Sequence, residues 1–530
     1  MTQINRQTGL TMWILLMCVG VLLLLALGPA AAATAGYART QGPWIVDADG
    51  RVLLLHGVNM SGSAKAPPFL PWQNKDEVIA VHKWGFDSVR YLIVWEGVEP
   101  QPGQYDDAYL DQVAERLKWC REAGIRVVLD MHQDLYARRY NGDGAPEWAC
   151  LDEGISYTQP AGGWFMAYLH PAVIKVFDNF YANKPGPGGV GIQDRFVAMW
   201  QHVAKRFCSD TNIIGYNIIN EPSYGNAFTA VMGGIAMAAT KELGPEAATL
   251  FTDPAAVQDP TAAIAGMIQA LTKKDALFKV LDEASPPAQQ FERTTLQPFY
   301  NRMVAAIRAV DPDHMIFFDP PAGDMSGTRM PSALEAPRDG DGKPFPNVVF
   351  SPHFYDFSSD FDFKYQGTAE YTRQFLGRAK AAGDRMGVPT WYGEWGVWTR
   401  QADDPDGAVL AGHHVDAFNQ LLCGWAYWEY GRDFKDKRFL PLLTQPYASV
   451  IAGVPTRMAA TEGGFELEFT PMARGGETII WVPPTRRADV KAKLSGQGKA
   501  KSSRDAEGFV HVTCPPGAGA CSVRISWARW

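Results

Sequence analysis

The chain has 530 residues, of which 46% are hydrophobic and 20% charged, so its composition is that of a globular protein with a large core. The formal net charge is −8 and there is no long basic run, which argues against a nucleic-acid surface. Length alone suggests about two or three domains, although a (β/α)8 barrel of about 250 residues or more counts as one.

The first 35 residues have the pattern of an export signal or a membrane anchor. Arg6 precedes an apolar run over residues 10–27, and Gly28, Pro29 and a stretch of small residues follow. A charged start, an apolar middle and an A-x-A-like end are typical of a cleaved signal peptide. Because the run is long enough to span a bilayer, an uncleaved anchor is the alternative. In either case we expect the folded part to be exported, as a secreted or periplasmic protein.

Strand and helix patterns then alternate along residues 42–437. Short apolar runs predict buried strands, and several of the stretches between them have helical spacing. The eight predicted strands begin near Leu53, Phe86, Ile125, Ile213, His314, Asn347, Pro389 and Cys423. This alternation predicts an α/β fold, a (β/α)8 TIM barrel with a parallel sheet.

Residues 229–297 interrupt the alternation. They are rich in Ala, show helical patterns and contain Pro254 and Pro260. We predict a helical insertion packed on the barrel wall, because apolar periodicity alone mostly reports core packing. A lid or a lipid-facing cover over the cleft is the alternative.

The last part of the chain, residues 438–530, has a different texture. Short runs of alternating polarity lie between Gly, Pro and Ser, which predicts a C-terminal antiparallel β-sandwich domain. Cys514 and Cys521 flank a Gly/Pro-rich turn, and in an oxidising compartment they are the best candidates for a disulfide. No C-x-x-C pattern indicates zinc.

Two carboxylates occur where predicted strands end. Glu221 follows the strand over residues 213–219 in the motif Asn-Glu-Pro, and Glu394 follows the strand over residues 389–392. The carboxyl ends of barrel strands form the face where active sites lie. Glycoside cleavage needs one protonated carboxyl to protonate the leaving oxygen, and one ionised carboxylate to attack the anomeric carbon or activate water. A single Asn-Glu-Pro could be a loop cap, but the second carboxylate favours a catalytic pair.

Several motifs together resemble glycoside hydrolase family 5, whose fold is a (β/α)8 barrel. They are Asn-Glu-Pro after a strand, a later Gly-Glu-Trp, Arg-Tyr in the second strand, and His-x-Tyr two strands before the end. More specifically, WEGVEPQPGQYDDAYLD, LDMHQDLYA, GAPEWA, KVFDNFY and PYASVIAGVPT are similar to the endoglycoceramidases (endoglycosylceramidases). The likeness runs from residue 42 to the C-terminus, apart from residues 229–297, where this chain carries additional residues.

The resemblance implies hydrolysis of the β-linkage between a glycan and ceramide, with retention of configuration and without a cofactor. By their motifs, Glu221 resembles the acid/base and Glu394 the nucleophile, and Asn220 would hold the sugar 2-hydroxyl. Arg90 and Tyr355 would flank and orient Glu394, Arg90 through its planar set of donors. A structural ion pair is the alternative for Arg90.

The resemblance also implies residues that bind the substrate. Lys65, His132, Asp134 and Trp428 match positions that line the first sugar site, and His353 would support the catalytic residues. His132 and Asp134 could instead hold a metal, but two ligands without a third convergent partner argue against it, so we predict no metal site. For Trp428 the alternative to stacking under a sugar is core packing.

The expected partner is a glycolipid presented in a membrane or a micelle, and the sequence gives no sign of nucleic acid or of an obligate protein partner. Another family 5 β-glycosidase is the nearest alternative, such as a steryl or alkyl β-glucosidase or an endo-β-glucanase. A catalytically inactive glycolipid-binding protein is a third. Fold and catalytic pair do not distinguish among these enzymes, because specificity lies in the surroundings of the site.

Overall fold

The computed structural model describes residues 36–527 except positions 61, 162, 245–246, 248–259, 323–326, 362, 398–404, 462, 485–487 and 496–497. The predicted signal or anchor, residues 1–35, therefore lies outside the described residues. Within the described ranges, no helix is both long enough and apolar enough to cross a membrane.

A closed parallel barrel forms the larger part of the molecule, which confirms the predicted fold class. Its strands are β1 (His56–Met60), β2 (Ser88–Val94), β3 (Arg126–His132), β4 (Ile213–Asn217), β5 (Met315–Phe318), β6 (Val348–Phe350 and His353–Phe354), β7 (Trp391–Trp395) and β8 (Gly424–Tyr427). β8 pairs with β1, and the Phe350 amide donates to the Pro389 carbonyl at 3.0 Å, which closes the ring between β6 and β7. The strands are buried on both faces, which explains why they appear in the sequence as continuous apolar runs.

Helices cover the outside of the barrel between most strands. Their bounds are Lys75–Lys83, Asp107–Glu122, Pro171–Tyr181, Ile192–Phe207, Gln297–Arg308, Ala369–Met386 and Pro405–Leu421. Side chains cap several of their first turns, as Asn74 does by accepting from the Asp76 and Glu77 amides. The helix Pro405–Leu421 was missed by the sequence prediction.

The described residues of the insertion after β4 are mostly helical. Among these described residues, a first insertion helix, Ala227–Leu243, is followed by a second, Pro260–Lys273, a third, Leu277–Glu283, and a fourth, Pro286–Phe291. A short π-helical turn, Glu292–Leu296, joins the fourth to the barrel helix Gln297–Arg308.

The C-terminal part forms two antiparallel sheets, as the alternating pattern predicted. Strands of the smaller sheet are Gly453–Thr461, Gly464–Pro471, Cys521–Trp527 and Ala488–Leu494, in that order. Strands of the larger sheet are Arg39–Gln41, Trp44–Val46, Val52–Leu53, Tyr447–Ile451, Gly476–Trp481, Phe509–Cys514 and Lys501–Arg504. Its first three strands precede β1 in the chain. Their residues Ile45 and Leu53 join Met315 and Val349 in one buried cluster that closes the floor of the barrel.

Two sequence predictions need correction. Glu394 lies inside β7 rather than after it, because the strand extends to Trp395. Cys514 and Cys521 are both free thiols, where the sequence predicted a disulfide. A hydrogen bond between the two side chains lowers the pKa of Cys514 and raises that of Cys521. The fold thus brings the two sulfurs together, but joining them requires an oxidant.

The contact between Gly85 and Trp481 gives a stability prediction for the junction of barrel and sandwich. Gly85 has φ +90°, and a Cβ added there would lie 2.2 Å from the Trp481 ring. We expect Gly85→Ala to lower the free energy of unfolding by about 1 kcal/mol for the positive φ and by about 1–3 kcal/mol more for the overlap. Denaturant unfolding measures this.

Gly387 provides the matched control, because it has φ +72° and nothing within 4 Å of an added Cβ. Gly387→Ala should lower the free energy of unfolding by about 1 kcal/mol, which is the contribution of the positive φ alone. Equal losses in the two variants would contradict the proposed steric role of Trp481.

Candidate active site

The strand ends at the top of the barrel bring Glu221 and Glu394 together. His353 of β6 lies opposite Glu394 of β7 in the parallel sheet. The His353 Nδ1 atom lies 2.8 Å from Glu221 Oε1 and 3.7 Å from Glu394 Oε2. One oxygen of each carboxylate and this nitrogen all lie within 4.8 Å of one another. Carboxylates this close fit the separation of about 5–5.5 Å found in retaining glycosidases better than the roughly 6.5–9.5 Å of inverting ones.

The loop that carries Glu221 has a strained backbone. Glu221 has φ +38°, a region that costs a residue other than glycine about 1–3 kcal/mol. The Gln133 side chain donates to the carbonyls of Asn220 and Glu221 at 2.7 and 2.9 Å, and Asp319 accepts from the Glu221 amide at 3.3 Å. The surrounding hydrogen bonds therefore hold the carboxylate in an unfavourable conformation, as is common at active sites.

Arg90 lies at the centre of the site and is fully buried. Its guanidinium contacts oxygens of Glu394 (2.6 Å), Asn220 (2.8 Å), Asp130 (2.8 Å), Asn217 (3.0 Å) and Asn59 (3.1 Å). These contacts occupy all three guanidinium nitrogens, so the orientation of Arg90 is fixed, and with it the position of Glu394 Oε1. Asn220 in turn donates from Nδ2 to the Gln133 carbonyl at 3.0 Å.

Glu394 is held in its ionised form. Tyr355 donates to Glu394 Oε2 at 2.9 Å, while Arg90 donates to Oε1. Burial raises the pKa of Glu394, but the positive charges around it, first His353 and then Arg90, outweigh burial and lower it. An ionised carboxylate whose two oxygens are both positioned is the state that a nucleophile requires.

The predicted sugar-binding residues form a second cluster beside this pair. Lys65 is ion-paired with Asp134, and its ammonium lies 4.4 Å from the centre of the Trp428 ring. The His132 ring stacks on Trp428 at 5.3 Å between centroids. Among the described contacts, His132 Nε2 has no hydrogen-bond partner, although the residue is buried. This nitrogen lies 3.6 Å from Asp134 Oδ2. Trp428 is half-buried, so part of its ring remains accessible to a sugar.

Two side-chain groups have the spacing of metal ligands, His132 with Asp134 and Asp143, and Glu221 with His353 and Glu394. In the first group Lys65 is paired with Asp134 and lies 3.8 Å from Asp143, so an ammonium occupies the place of a cation. In the second group, His353 lies between Glu221 and Glu394. Both groups of side chains are thus already paired with positively charged or titratable groups of the protein, and neither is arranged better for a bound metal ion.

Sequence reasoning missed several residues of the site. Asp319 directly follows β5, the same strand-end position that singled out Glu221, so the signal was present. Asn59 and Asp130 lie inside strands that the sequence shows as mostly apolar, where an isolated polar residue was the available clue. Glu429 accepts from the Gly62 amide at 2.7 Å beside Trp428, and nothing in the sequence distinguished it.

The barrel, the paired carboxylates at its strand ends and the sugar-sized polar cluster define a glycoside hydrolase. The chain belongs to glycosyl hydrolase family 5, since the family described as "Cellulase (glycosyl hydrolase family 5)" matches residues 46–433.

The chain is also similar to individual proteins and structures of different activities. Endoglycoceramidase I of Rhodococcus hoagii (strain 103S) is 26% identical over 505 residues, covering 92% of this chain and 88% of the relative. The structure of endo-glycoceramidase II from Rhodococcus sp. in its ganglioside GM3 complex has a TM-score of 0.71 at 25% identity, covering 92% of this chain and 100% of the other. Ergosteryl-beta-glucosidase of Saccharomyces cerevisiae (strain ATCC 204508 / S288c) is 32% identical over 255 residues, 34% of this chain and 33% of that one.

The pairing of His353 with Asp319 predicts a pH dependence of stability. His353 Nε2 lies 3.5 Å from Asp319 Oδ2. Burial lowers the pKa of His353, but Glu394, Asp319 and Glu221 raise it to about 9. The stabilisation by the protonated ring is therefore complete below the unfolded value of about 6.5 and is lost as the pH rises through about 9. In the Asp319→Asn variant this loss of stability should begin about one pH unit lower, because one of the negative charges that raise the pKa of His353 is removed. The free energy of unfolding, measured with denaturant between pH 7 and 10, tests this.

Asp311→Asn is the control. Asp311 makes a comparable buried pair with His314, with Nδ1 2.6 Å from Oδ2, at the opposite end of β5. Its substitution should leave the part of the profile that depends on His353 in place. The same alkaline profile in Asp319→Asn and in the unaltered protein would disprove the coupling.

Proposed function

We propose that this family 5 enzyme is a retaining glycosidase that cleaves the β-linkage between glycan and ceramide in glycosphingolipids. The observation that carries the chemistry is the approach of Glu221 and Glu394 to within 4.8 Å, with both oxygens of Glu394 held by donors. The substrate class is supported by the similarity to endoglycoceramidases over most of the chain and by the ganglioside bound in one of the similar structures.

The reaction follows from the positions of the two carboxylates. Glu394 attacks the anomeric carbon while Glu221, protonated, gives its proton to the ceramide oxygen, and the ceramide leaves as an alcohol. The sugar is then bonded covalently to Glu394. Glu221, now a carboxylate, removes a proton from water, which attacks the anomeric carbon and releases the glycan with its configuration retained.

The remaining polar residues bind and orient the sugar. Tyr355 and Arg90 keep the attacking oxygens of Glu394 in position, which limits the motion needed to reach the transition state. Lys65, Asp134 and His132 lie where hydroxyls of the first sugar would bind, and Trp428 presents its face below them. Asn220, next to Glu221, is the residue for the 2-hydroxyl.

A steryl or alkyl β-glucosidase is the second candidate, because the similarity to ergosteryl-beta-glucosidase reaches 32% identity over part of the chain. The same carboxylate pair would serve either substrate. The purified protein should be incubated with glucosylceramide, lactosylceramide, a steryl glucoside and cellulose, and the products identified. Ceramide together with intact glycan is the expected result. Sterol or cello-oligosaccharide as the only product would contradict the substrate assignment.

We also propose that the enzyme works outside the cytoplasm, on a glycolipid in a membrane or a micelle. Its N-terminal sequence supports this, with a charged start, an apolar run and small residues. Fractionation of the producing cells with N-terminal sequencing of the mature protein would distinguish a cleaved signal from an anchor.

The division of labour between the carboxylates gives a kinetic prediction. Glu221→Gln should reduce kcat on a glycolipid by about 10²–10⁴-fold, because the poor leaving group needs a proton. With a dinitrophenyl β-glycoside the first step should be nearly unaffected, because the leaving group needs no acid. The second step still needs Glu221 as the base that activates water, so a glycosyl-enzyme should accumulate. Glu394→Gln should abolish turnover of both substrates. Rapid-mixing kinetics and mass spectrometry measure these effects.

Glu99→Gln is the control, since Glu99 is a buried glutamate that accepts from the Trp95 indole at 2.8 Å outside the catalytic pair. It should retain activity on both substrates. A sugar adduct located on any residue other than Glu394 would refute the assignment of the nucleophile.

A further inference from the structure

Glu429 is a glutamate beside the sugar site that the proposed reaction does not use. It directly follows Trp428 after the end of β8 and is half-buried. Its Oε2 accepts from the Gly62 amide at 2.7 Å, and Gly62 begins the short helical turn that ends at Lys65. One oxygen of the carboxylate is therefore fixed, which limits the directions in which the other oxygen can point.

The second oxygen of Glu429 is available to a ligand. Among the described residues, none donates a hydrogen bond to Glu429 Oε1, and no cationic group lies within 4.0 Å of the carboxylate. The neighbouring acids differ in this respect, since Asp134 is ion-paired with Lys65 and Glu394 with Arg90. A half-buried carboxylate oxygen without a donor gains more from a ligand hydroxyl than one that is already paired.

The charges around Glu429 are those of the sugar site. Burial raises the pKa of Glu429 and the charge of Glu394 adds to this, while the Gly62 amide, Lys65 and His132 act in the opposite direction. The nucleophile and two of the predicted sugar-binding residues are thus near enough to affect its ionisation. The carboxylate of Glu429 therefore belongs to the same pocket as the catalytic pair.

The order of the strands around the barrel indicates which hydroxyl reaches Glu429. Asn220 follows β4, His132 ends β3, Lys65 follows β1, and Glu429 follows β8, which pairs with β1. We place the anomeric carbon at Glu394 and the 2-hydroxyl at Asn220, a placement that rests on the proposed function. The 3- and 4-hydroxyls then lie next along this arc, towards His132 and Lys65, and the hydroxymethyl group at C5 comes after them, towards Glu429.

We infer that Glu429 Oε1 accepts a hydrogen bond from the 6-hydroxyl of the sugar whose linkage is cleaved. A carboxylate is a stronger acceptor than a neutral oxygen, so this contact makes Glu429 a specificity-determining residue. A pentoside has no hydroxymethyl group, and a sugar extended through its 6-oxygen has no proton there to donate. Glu429 therefore selects hexosides with a free 6-hydroxyl, while extension of the glycan through the 4-oxygen does not involve it.

The test compares dinitrophenyl β-glucoside, 6-deoxyglucoside and xyloside, which share one leaving group. For the unaltered enzyme, kcat/KM for the glucoside should exceed the other two values by about 10–100-fold, the range for a hydrogen bond to a charged acceptor. Glu429→Gln can keep its carbonyl oxygen on the Gly62 amide but loses the charged acceptor. It should lower kcat/KM for the glucoside by about tenfold or more and change that for the 6-deoxyglucoside by less than about twofold.

Glu96→Gln is the matched control, because Glu96 is a half-buried glutamate just after β2 whose Oε2 accepts from Arg138 at 2.7 Å. It should leave the ratio of glucoside to 6-deoxyglucoside unchanged. An equal loss on both substrates in Glu429→Gln would show that Glu429 only supports the turn that carries Lys65, and would overturn the inference.

The substrate series on the unaltered enzyme decides the matter if Glu429→Gln does not fold, because it needs no variant. The absence of any preference for the glucoside over the 6-deoxyglucoside would also overturn the inference. Absence of ceramide release in the substrate panel would instead overturn the proposed function and leave this ratio standing, because the three test glycosides contain no lipid.

Discussion

The catalytic face of the barrel depends on the buried charge of Arg90. A fully buried guanidinium is tolerated only when its donors are paired, and unpaired burial would cost several kcal/mol. Its partners come from four other strands: Asn59 on β1, Asp130 on β3, Asn217 on β4 and Glu394 on β7. The interaction that keeps Glu394 ionised therefore also fixes the ends of these strands relative to one another. Shifting any of them would leave part of the guanidinium without a partner.

The rest of the site repeats this arrangement, with each cation placed between two acids. Arg90 lies between Asp130 and Glu394, His353 between Glu221 and Glu394, and Lys65 between Asp134 and Asp143. Because the cations separate the carboxylates, the acids can be crowded at the strand ends without repelling one another strongly. The catalytic carboxylates are equivalent in chemistry but not in surroundings. Glu394 has two dedicated donors, whereas Glu221 shares His353 and sits on a strained loop.

What the sequence could predict follows from the range of the interactions involved. The apolar runs and the carboxylates near their ends are local patterns, and they were enough to predict the barrel and to single out Glu221 and Glu394, which the fold brings close together. The role of Asp319 depends on His353, which lies on the neighbouring strand across a long connection, so no local pattern records it. The pairing of the N-terminal strands with Tyr447–Ile451 joins residues almost 400 positions apart in the chain, so no local pattern indicates it.

The polar site and the helical insertion are built by different parts of the chain. The polar site is made of barrel strands and their immediate ends, where Arg90 contacts Glu394 and Asn220, and Lys65 is paired with Asp134. The insertion, residues 229–297, begins a few residues after Glu221 and packs against the barrel mainly through apolar side chains. Changes among these apolar side chains can therefore leave the charged contacts of Arg90 and Lys65 in place. Glu221 is the point where the two parts join, because its loop leads from β4 into the first insertion helix.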